Sequence, residues 1–407
     1  MPEISLSPDT VLRLAPNFRT RLDAAGHVIV DSPAGTVVDI GPWGFAILSM
    51  FSRPVTLGQA LERLEAELGG STEFAPTMSV VNMLIEENTL LASADDRAPA
   101  SGWADPVEHA RMLHDDRRTR DFIAALTAAV RPGDVVLDIG TGSGVLAVAL
   151  ARAGARHVYA VEASDIAAVA ARVFEANGVK DRVTLVPGWS RQIELPERAD
   201  LLVAEIIGNE PLEEEILETT LDARRRLLKP GARLVPHALE LLARPLLLPE
   251  AEVRQRAFGR TAVQRWRDLY GMDFRPLLDV AATDPVYSTA EGEVAATWPP
   301  AGPPVVLASV DLTTFREASV RAHADLVVDP PGPVNAIAVT FRALLHDGIA
   351  HTLDPWTWPS SSWATSVWVL REPVNAGPTS ALHASYHRRV PGKPDGLTVN
   401  VVDRSAG

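Results

Sequence analysis

The pattern of apolar and polar positions changes character twice along the chain. Short strand-like stretches at 18–22, 27–31 and 36–40, separated by Asp, Gly, Ser and Pro, predict a small three-stranded sheet. Helical spacing follows at 43–51, 57–68 and 77–88, with Thr56 as an N-cap and Gly69-Gly70 as a stop for the middle helix. Sheet followed by helices predicts a small winged-helix-like α+β module over 1–95. The aperiodic stretch 94–105 reads as the linker that ends it.

From 107 onward, helices alternate with strongly apolar strands. Val135-Val-Leu-Asp-Ile139, His157-Val-Tyr-Ala-Val161, Val183-Thr-Leu-Val186 and Asp200-Leu-Leu-Val-Ala204 are strands of this kind, with helices at 145–153 and 166–177 between them. Apolar runs alternating with helices indicate a parallel sheet covered on both faces, so 104–235 reads as a Rossmann-like core. After Pro236 the chain breaks into short strand-like segments such as 304–309 and 365–370. The expected fold class is therefore α/β plus β, with a β-rich, barrel-like domain over 236–407 and a helical arm at about 250–285.

Composition narrows the function. A length of 407 residues implies two or three domains, and there is no apolar run of the ~18 residues a spanning helix needs. No membrane association is expected. The first thirty residues lack the basic start and apolar centre of a secretory signal, so the expected location is cytoplasmic. With no cysteine, thiolate nucleophiles, disulfides, Cys-based zinc sites and iron–sulfur clusters are excluded. A net charge of −14 disfavours nucleic acid and favours a cationic partner.

Asp138-Ile-Gly140-Thr141-Gly142-Ser-Gly144 closes the first strand of the core and opens a helix. Glycines there let backbone turn sharply and approach a ligand. The G-x-G-x-G spacing departs from the G-x-G-x-x-G of dinucleotide binders, and Glu162, where the second strand ends, is placed to accept hydrogen bonds from ribose hydroxyls. A nucleoside pocket is the reading. The stretch resembles the class I S-adenosylmethionine-dependent methyltransferases. That resemblance implies that the methionine part of the cofactor lies over the glycine loop, Glu162 holds the ribose, and Gly188-Trp189-Ser190 lines the adenine.

After the fourth strand, Glu205 is followed nine residues later by Glu214, with Gly208 and Pro211 bending the chain between them. A hairpin of that length can bring both carboxylates, Glu214 from the start of a helix, into one cleft. Close anions stay ionised best around a guanidinium or ammonium. Glu213, Glu215 and Glu218 read instead as acidic decoration of a helix N-terminus. The segment is similar to the double-glutamate hairpin of the protein arginine methyltransferase family, with Gly208 and Asn209 inside it. Upstream, His109-Ala-Arg-Met112-Leu-His-Asp115-Asp-Arg-Arg118 resembles the family's helix over the cofactor. The resemblance implies that Arg118 pairs with the cofactor carboxylate and that His109 and Met112 pack beside it. Trp266-Arg-Asp-Leu-Tyr270-Gly271-Met-Asp273 resembles the family's dimerisation arm, which implies a homodimer. Ser361-Ser362-Trp363 takes the place of its threonine–histidine–tryptophan loop, so Ser362 and Trp363 are expected at the substrate. Ser362 stands where the family has histidine, and Trp103-Ala-Asp-Pro-Val-Glu replaces its usual aromatic pair, so the acceptor nitrogen is left open between arginine and another amine. The implied cofactor is S-adenosylmethionine, S-adenosylhomocysteine the product, and no metal is called for.

Residues 14–92 resemble the peptide-binding domain of the pyrroloquinoline-quinone-biosynthesis D type, the RiPP recognition element. The resemblance rests on Leu14-Ala-Pro-Asn-Phe18-Arg, the three strands, Gly41-Pro-Trp43-Gly-Phe-Ala-Ile-Leu48 and Val80-Val-Asn-Met83. It implies that a leader peptide adds as a strand beside Thr36-Val-Val-Asp-Ile40, selected by the groove against helix 77–88. The alternative is a module for dimerisation or support. The expected activity is N-methylation of a ribosomal precursor peptide. General protein arginine methylation and a non-catalytic peptide-binding scaffold remain as alternatives.

Overall fold

The computed structural model describes residues 10–15, 18–33, 36–52, 55–67, 74–92, 103, 105–280, 284–376, 380–388 and 396–403. The chain divides into two units, 1–106 and 107–407. No helix among the described residues is long and apolar enough to cross a membrane.

The first unit runs β1 (Val11–Leu14), β2 (Arg19–Leu22), β3 (Val28–Asp31), β4 (Val37–Asp39), α1 (Gly44–Met50), β5 (Val55–Thr56), α2 (Leu57–Glu67), α3 (Phe74–Glu86) and β6 (Leu90–Ala92). The antiparallel sheet β2-β3-β4 stands where the alternation placed three strands. Val28 and Val30 of β3 turn onto a core with Ile47, Leu48, Leu64, Val81 and Leu84. The Thr56 hydroxyl accepts from Gln59 N at 3.3 Å, the N-cap expected of it. A second sheet, β5-β1-β6, was not foreseen, because strands of two to four residues are too short to show a period. The Gly69-Gly70 stop and, apart from Trp103 and Asp105, the linker at 94–105 lie outside the described residues.

The second unit opens with α4 (Pro106–His114) and α5 (Asp116–Ala129). The sequence was read as one helix here. Asp115 interrupts it, its carboxylate accepting from Arg118 N at 3.1 Å and capping α5. Next come β7 (Val135–Ile139), α6 (Val145–Arg152), β8 (His157–Glu162), α7 (Ala167–Ala176), β9 (Val183–Pro187), β10 (Ala199–Ala204), α8 (Ile216–Arg226) and β11 (Leu228–Val235). The sheet is parallel in the order β11-β10-β7-β8-β9. The chain starts at central β7, builds toward β9, then returns to the other side at β10. The crevice beyond the carboxyl ends of β7 and β10 is thus the topological switch point, where such sheets bind ligands.

The remainder comprises β12 (Ala238–Leu246), α9 (Glu250–Arg256), α10 (Arg260–Tyr270), α11 (Pro276–Val280), β13 (Val286–Ala290), α12 (Gly292–Ala296), β14 (Val305–Asp311), β15 (Val320–Leu326), β16 (Gly332–His346), β17 (Ile349–Thr352), β18 (Thr365–Ala376), β19 (Ser380–Arg388) and β20 (Gly396–Asp403). One sheet is ordered β13-β18-β16-β12-β14 with β17 also on β16, and a second is β15-β19-β20. The 15-residue strand β16 was not read from the sequence. Its buried run from Val334 to Phe341 shows no alternation, and such a run is indistinguishable by period from a buried helix. One hydrophobic core joins Leu137 and Val203 of the parallel sheet to Phe341 and Trp363 of the β-rich part, fixing the two halves of the site relative to each other.

Candidate active site

The glycine loop is held by its own strands. Gly140 N and Thr141 N both donate to Val161 O at 3.0 Å, and Thr141 Oγ1 donates to Asp138 Oδ2 at 2.6 Å. Asp138 is fully buried, and burial pushes its carboxyl up to about 7. Its other oxygen, Oδ1, is buried without a hydrogen-bond partner. Gly142, at φ +55°, donates its N–H to Glu162 Oε2 at 2.9 Å, and a Cβ there would press on the buried His109 ring at 2.9 Å. His109 therefore lies against the loop. Glu162 Oε1 accepts from Ser164 N at 2.8 Å and Ser164 Oγ at 2.7 Å, so this carboxylate binds the loop to the next turn. Oε2, with one donor from the protein, keeps a second acceptor site for an outside hydroxyl. Gly144 begins α6 as its N-cap.

Around the expected adenine position, Trp189 is 65% exposed while Ser190 is buried, its carbonyl accepting from Arg226 Nη2 at 3.0 Å. Met112 is half-buried on α4.

Glu205 stands just past the end of β10 and forms an ion pair with Arg118 of α5, with side-chain exposures of 8% and 9%. The sequence placed Arg118 on the cofactor carboxylate; here the chain's own carboxylate holds it. Burial lowers the guanidinium to about 10, opposed by the charges of Asp115 and Glu214. Glu214 faces the same cation. Burial lifts its carboxyl to about 7, with Glu213 raising and Arg118 lowering it. Glu205 pairs directly with Arg118, and Glu214, in the same hairpin, feels the charge of that guanidinium. Glu214 lies in a turn before α8 and not in the helix itself, because Glu215 takes a left-handed conformation (φ 61°) as the N-cap.

The hairpin between the two glutamates is wired to the β-rich half. Any side chain at Gly208 would collide with Glu213, which folds across it. Asn209 Oδ1 accepts from Ala364 N and Asn209 O from Ser366 Oγ, both at 2.8 Å, while Trp363 Nε1 donates to Ile207 O at 2.6 Å. Glu210 is buried beneath, accepting from Tyr386 OH at 2.7 Å and Leu212 N at 3.0 Å, and burial pushes it up to about 7. Ser360 Oγ donates to Asp115 Oδ2 at 2.5 Å and accepts from Ser362 N and Trp363 N. Ser362 Oγ is itself buried without a partner. Arg118 lies over the Trp363 ring, 5.3 Å from its centroid.

Sequence reasoning missed Asp115, Ser360, Asp121 and His351. The first signals itself as an N-cap three residues before Arg118. The other three act across separations of 230 residues or more and leave no local pattern.

The protein-family model for ribosomal protein L11 methyltransferase (PrmA) matches residues 116–235. The chain is 34% identical over 197 residues to the probable protein arginine N-methyltransferase 6 of Arabidopsis thaliana, covering 47% of this chain and 44% of that protein. It is 36% identical over 187 residues to protein arginine N-methyltransferase 1 of Schizosaccharomyces pombe, covering 45% and 53%. The chain thus spans about half the length of these curated relatives. Among solved structures, the Trypanosoma brucei PRMT1 enzyme–prozyme heterotetrameric complex with AdoHcy matches with a TM-score of 0.62 and 25% identity, over 75% of this chain and 96% of that one. Over that three quarters of its length the chain has the fold of the protein arginine methyltransferases. The Arabidopsis thaliana protein arginine methyltransferase 10 shares it at a TM-score of 0.57 and 20% identity, over 74% of this chain and 99% of that one. The glycine loop lies within the stretch that the methyltransferase family model matches, and the relatives named above are methyltransferases.

The residues fit that cofactor. Arg118 Nε is buried without a partner, so the guanidinium has donor capacity beyond Glu205 for a carboxylate, and the loop's backbone leaves the close approach a nucleoside–amino-acid ligand needs.

Proposed function

We propose that the chain transfers a methyl group from S-adenosylmethionine to a cationic nitrogen, an arginine guanidinium or an amine, of a ribosomally synthesised precursor peptide. The observation that carries the reading is the buried ion pair of Glu205 with Arg118 just past the end of β10, with Glu214 nine residues on in the same hairpin. Bound S-adenosylmethionine supplies a methyl already activated on a sulfonium. The protein's task is alignment and charge. Arg118 and the loop residues Asp138, Gly140, Thr141, Gly142, Gly144 and Glu162 hold the cofactor, with His109 and Met112 packed over it and Trp189 and Ser190 toward the adenine. Glu205 and Glu214 orient the substrate nitrogen at about 3–3.5 Å and stabilise its positive charge. A guanidinium nitrogen, or an amine that has first lost its proton, would supply the lone pair for the new N–C bond as the S–C bond breaks. Glu214, poised near 7, takes the departing proton. Gly208, Asn209, Ser362 and Trp363 shape the slot.

Residues 1–95 would select the substrate. Among the described strands β4 pairs only with β3, and Val37 is 65% exposed beside that edge. In the ladder, Ser32 N donates to Thr36 O and Ile40 N donates to Val28 O, so alternate residues Val37 and Asp39 turn their backbone groups away from β3, available to an added strand in the cytoplasm. The proposed assembly is a homodimer through the arm. Leu269, Tyr270 and Met272 are exposed there, and an apolar groove of about 530 Å³ lined by Leu113, Ile123, Val148 and Val173 suits them in a second copy.

The relatives' names favour a second reading, general protein arginine methylation. Mass spectrometry of a precursor peptide and its leaderless core, each incubated with enzyme and trideuteromethyl cofactor, separates the two. The first reading expects methylation that depends on the leader, the second equal methylation of both.

A further inference from the structure

We propose that Asp121 and His351 form a positioning couple which, through Trp363, sets where Arg118 stands beside Glu205. The inference rests on the reading of Arg118 as a cofactor ligand.

His351 comes from β17 and Asp121 from α5. His351 is 2% exposed, and its Nδ1 lies 2.9 Å from Asp121 Oδ2. An ionised carboxylate only accepts, so Nδ1 carries the hydrogen and the tautomer is fixed. The imidazole is set among aromatic rings, with centroids 5.5 Å from Trp363, 6.3 Å from Phe341 and 6.4 Å from Phe122. Trp363 is then held at its indole nitrogen by Ile207 O, within the glutamate hairpin, and carries Arg118 over its ring. The stack thus runs from α5 through His351 and Trp363 to Arg118 and Glu205. A phenylalanine would fill this layer without the desolvation cost of a buried imidazole–carboxylate pair. A polar couple here therefore points to an electrostatic role.

Among the described residues, the charged groups that act on His351 are Asp121, Asp115 and Arg118, while β16 and the Trp363 loop bring the Phe341 and Trp363 rings against it. Burial lowers the imidazole below its usual value, helped by Arg118 and opposed by Asp121 and Asp115. His351 is accordingly neutral at physiological pH. Protonation would place a second positive charge beside Arg118 and disturb the stack.

The test is calorimetric binding of S-adenosylhomocysteine to the full chain between pH 5 and 8, for wild type, His351→Phe, Asp121→Asn and Arg118→Ala, with melting temperatures alongside. Wild type should lose about tenfold in affinity on the acid side, with a midpoint below ~6.5. Asp121→Asn should move that midpoint to lower pH, since the carboxylate that favours protonation is gone. His351→Phe, which keeps the ring, should abolish it. A purely structural couple would lower melting temperature and leave the midpoint where it was. A midpoint unchanged in both variants belongs to Glu214, Glu210 or Asp138 and overturns the proposal. If Arg118→Ala weakens binding while the other two variants behave as wild type, only this inference fails; if Arg118→Ala binds normally, the reading of the site fails with it.

Discussion

The Arg118 guanidinium and the Glu205 carboxylate, 87 residues apart in the chain, form a buried ion pair at the mouth of the glycine loop. The same two groups are the ones proposed to receive, respectively, the carboxylate of the cofactor and the nitrogen of the substrate. The pair satisfies each charge within the chain, since a buried unpaired charge costs several kcal/mol. Loading the site then means exchanging one internal partner for two external ones.

Glu205→Gln should therefore separate turnover from cofactor binding. Removing the carboxylate deletes the charge that holds the substrate nitrogen, for an expected kcat loss of about 10²–10³-fold or more. It also frees Arg118, so S-adenosylhomocysteine should bind as well as to wild type or a few-fold more tightly. Steady-state kinetics and calorimetry on one preparation check both. Unchanged turnover would remove Glu205 from the mechanism.

Gly142→Ala should weaken the cofactor loop. The residue sits at φ +55°, and its new Cβ would press on His109. Strain of about 1–3 kcal/mol is expected in an unfolding titration. Cofactor affinity should fall together with stability.

Glu210 offers a pH signature. Burial raises its folded pKa to about 7, above the ordinary carboxylate value, so its contribution is fully present below about 4 and is lost as pH rises through 7. Asp138 and Glu214 have the same sign. Glu210→Gln, which keeps the shape but cannot ionise, should flatten the loss of melting temperature between pH 5 and 8, by up to a difference of roughly 2–3 kcal/mol. An identical slope in the variant would show that Glu210 does not titrate in this window.

Val37→Pro should test the open edge of β4. Proline removes an N–H that the ladder with β3 does not use, so the first unit should keep its fold. Affinity of the full chain for a leader-bearing peptide, measured by fluorescence anisotropy, should drop at least tenfold. Undiminished binding would favour the module's alternative role in dimerisation or support.

What could be read from the sequence was local. Asp138 to Gly144, Glu162 and the span from Glu205 to Glu214 lie within one βα or strand–turn unit each, and their spacing alone placed them at the ends of β7, β8 and β10. Arg118 was identified by its helix, but its partner was not, because pairing across separate elements leaves no periodic trace. The same holds for Asp121 with His351 and for Ser360 with Asp115, 230 and 245 positions apart. Ser362 was expected as a site residue from position, yet its hydroxyl is buried without a partner, a state no sequence pattern announces. In β16, complete burial erased the alternation that would have marked a strand.

Tandem mass spectrometry of a peptide carrying arginine and lysine, after incubation with trideuteromethyl S-adenosylmethionine and either wild type, Glu205→Gln or Glu214→Gln, tests the central claim most directly. The account predicts a deuterated methyl on a side-chain nitrogen with wild type and at most a trace of it with either variant. Label on oxygen or sulfur, or equal labelling by all three proteins, would contradict it.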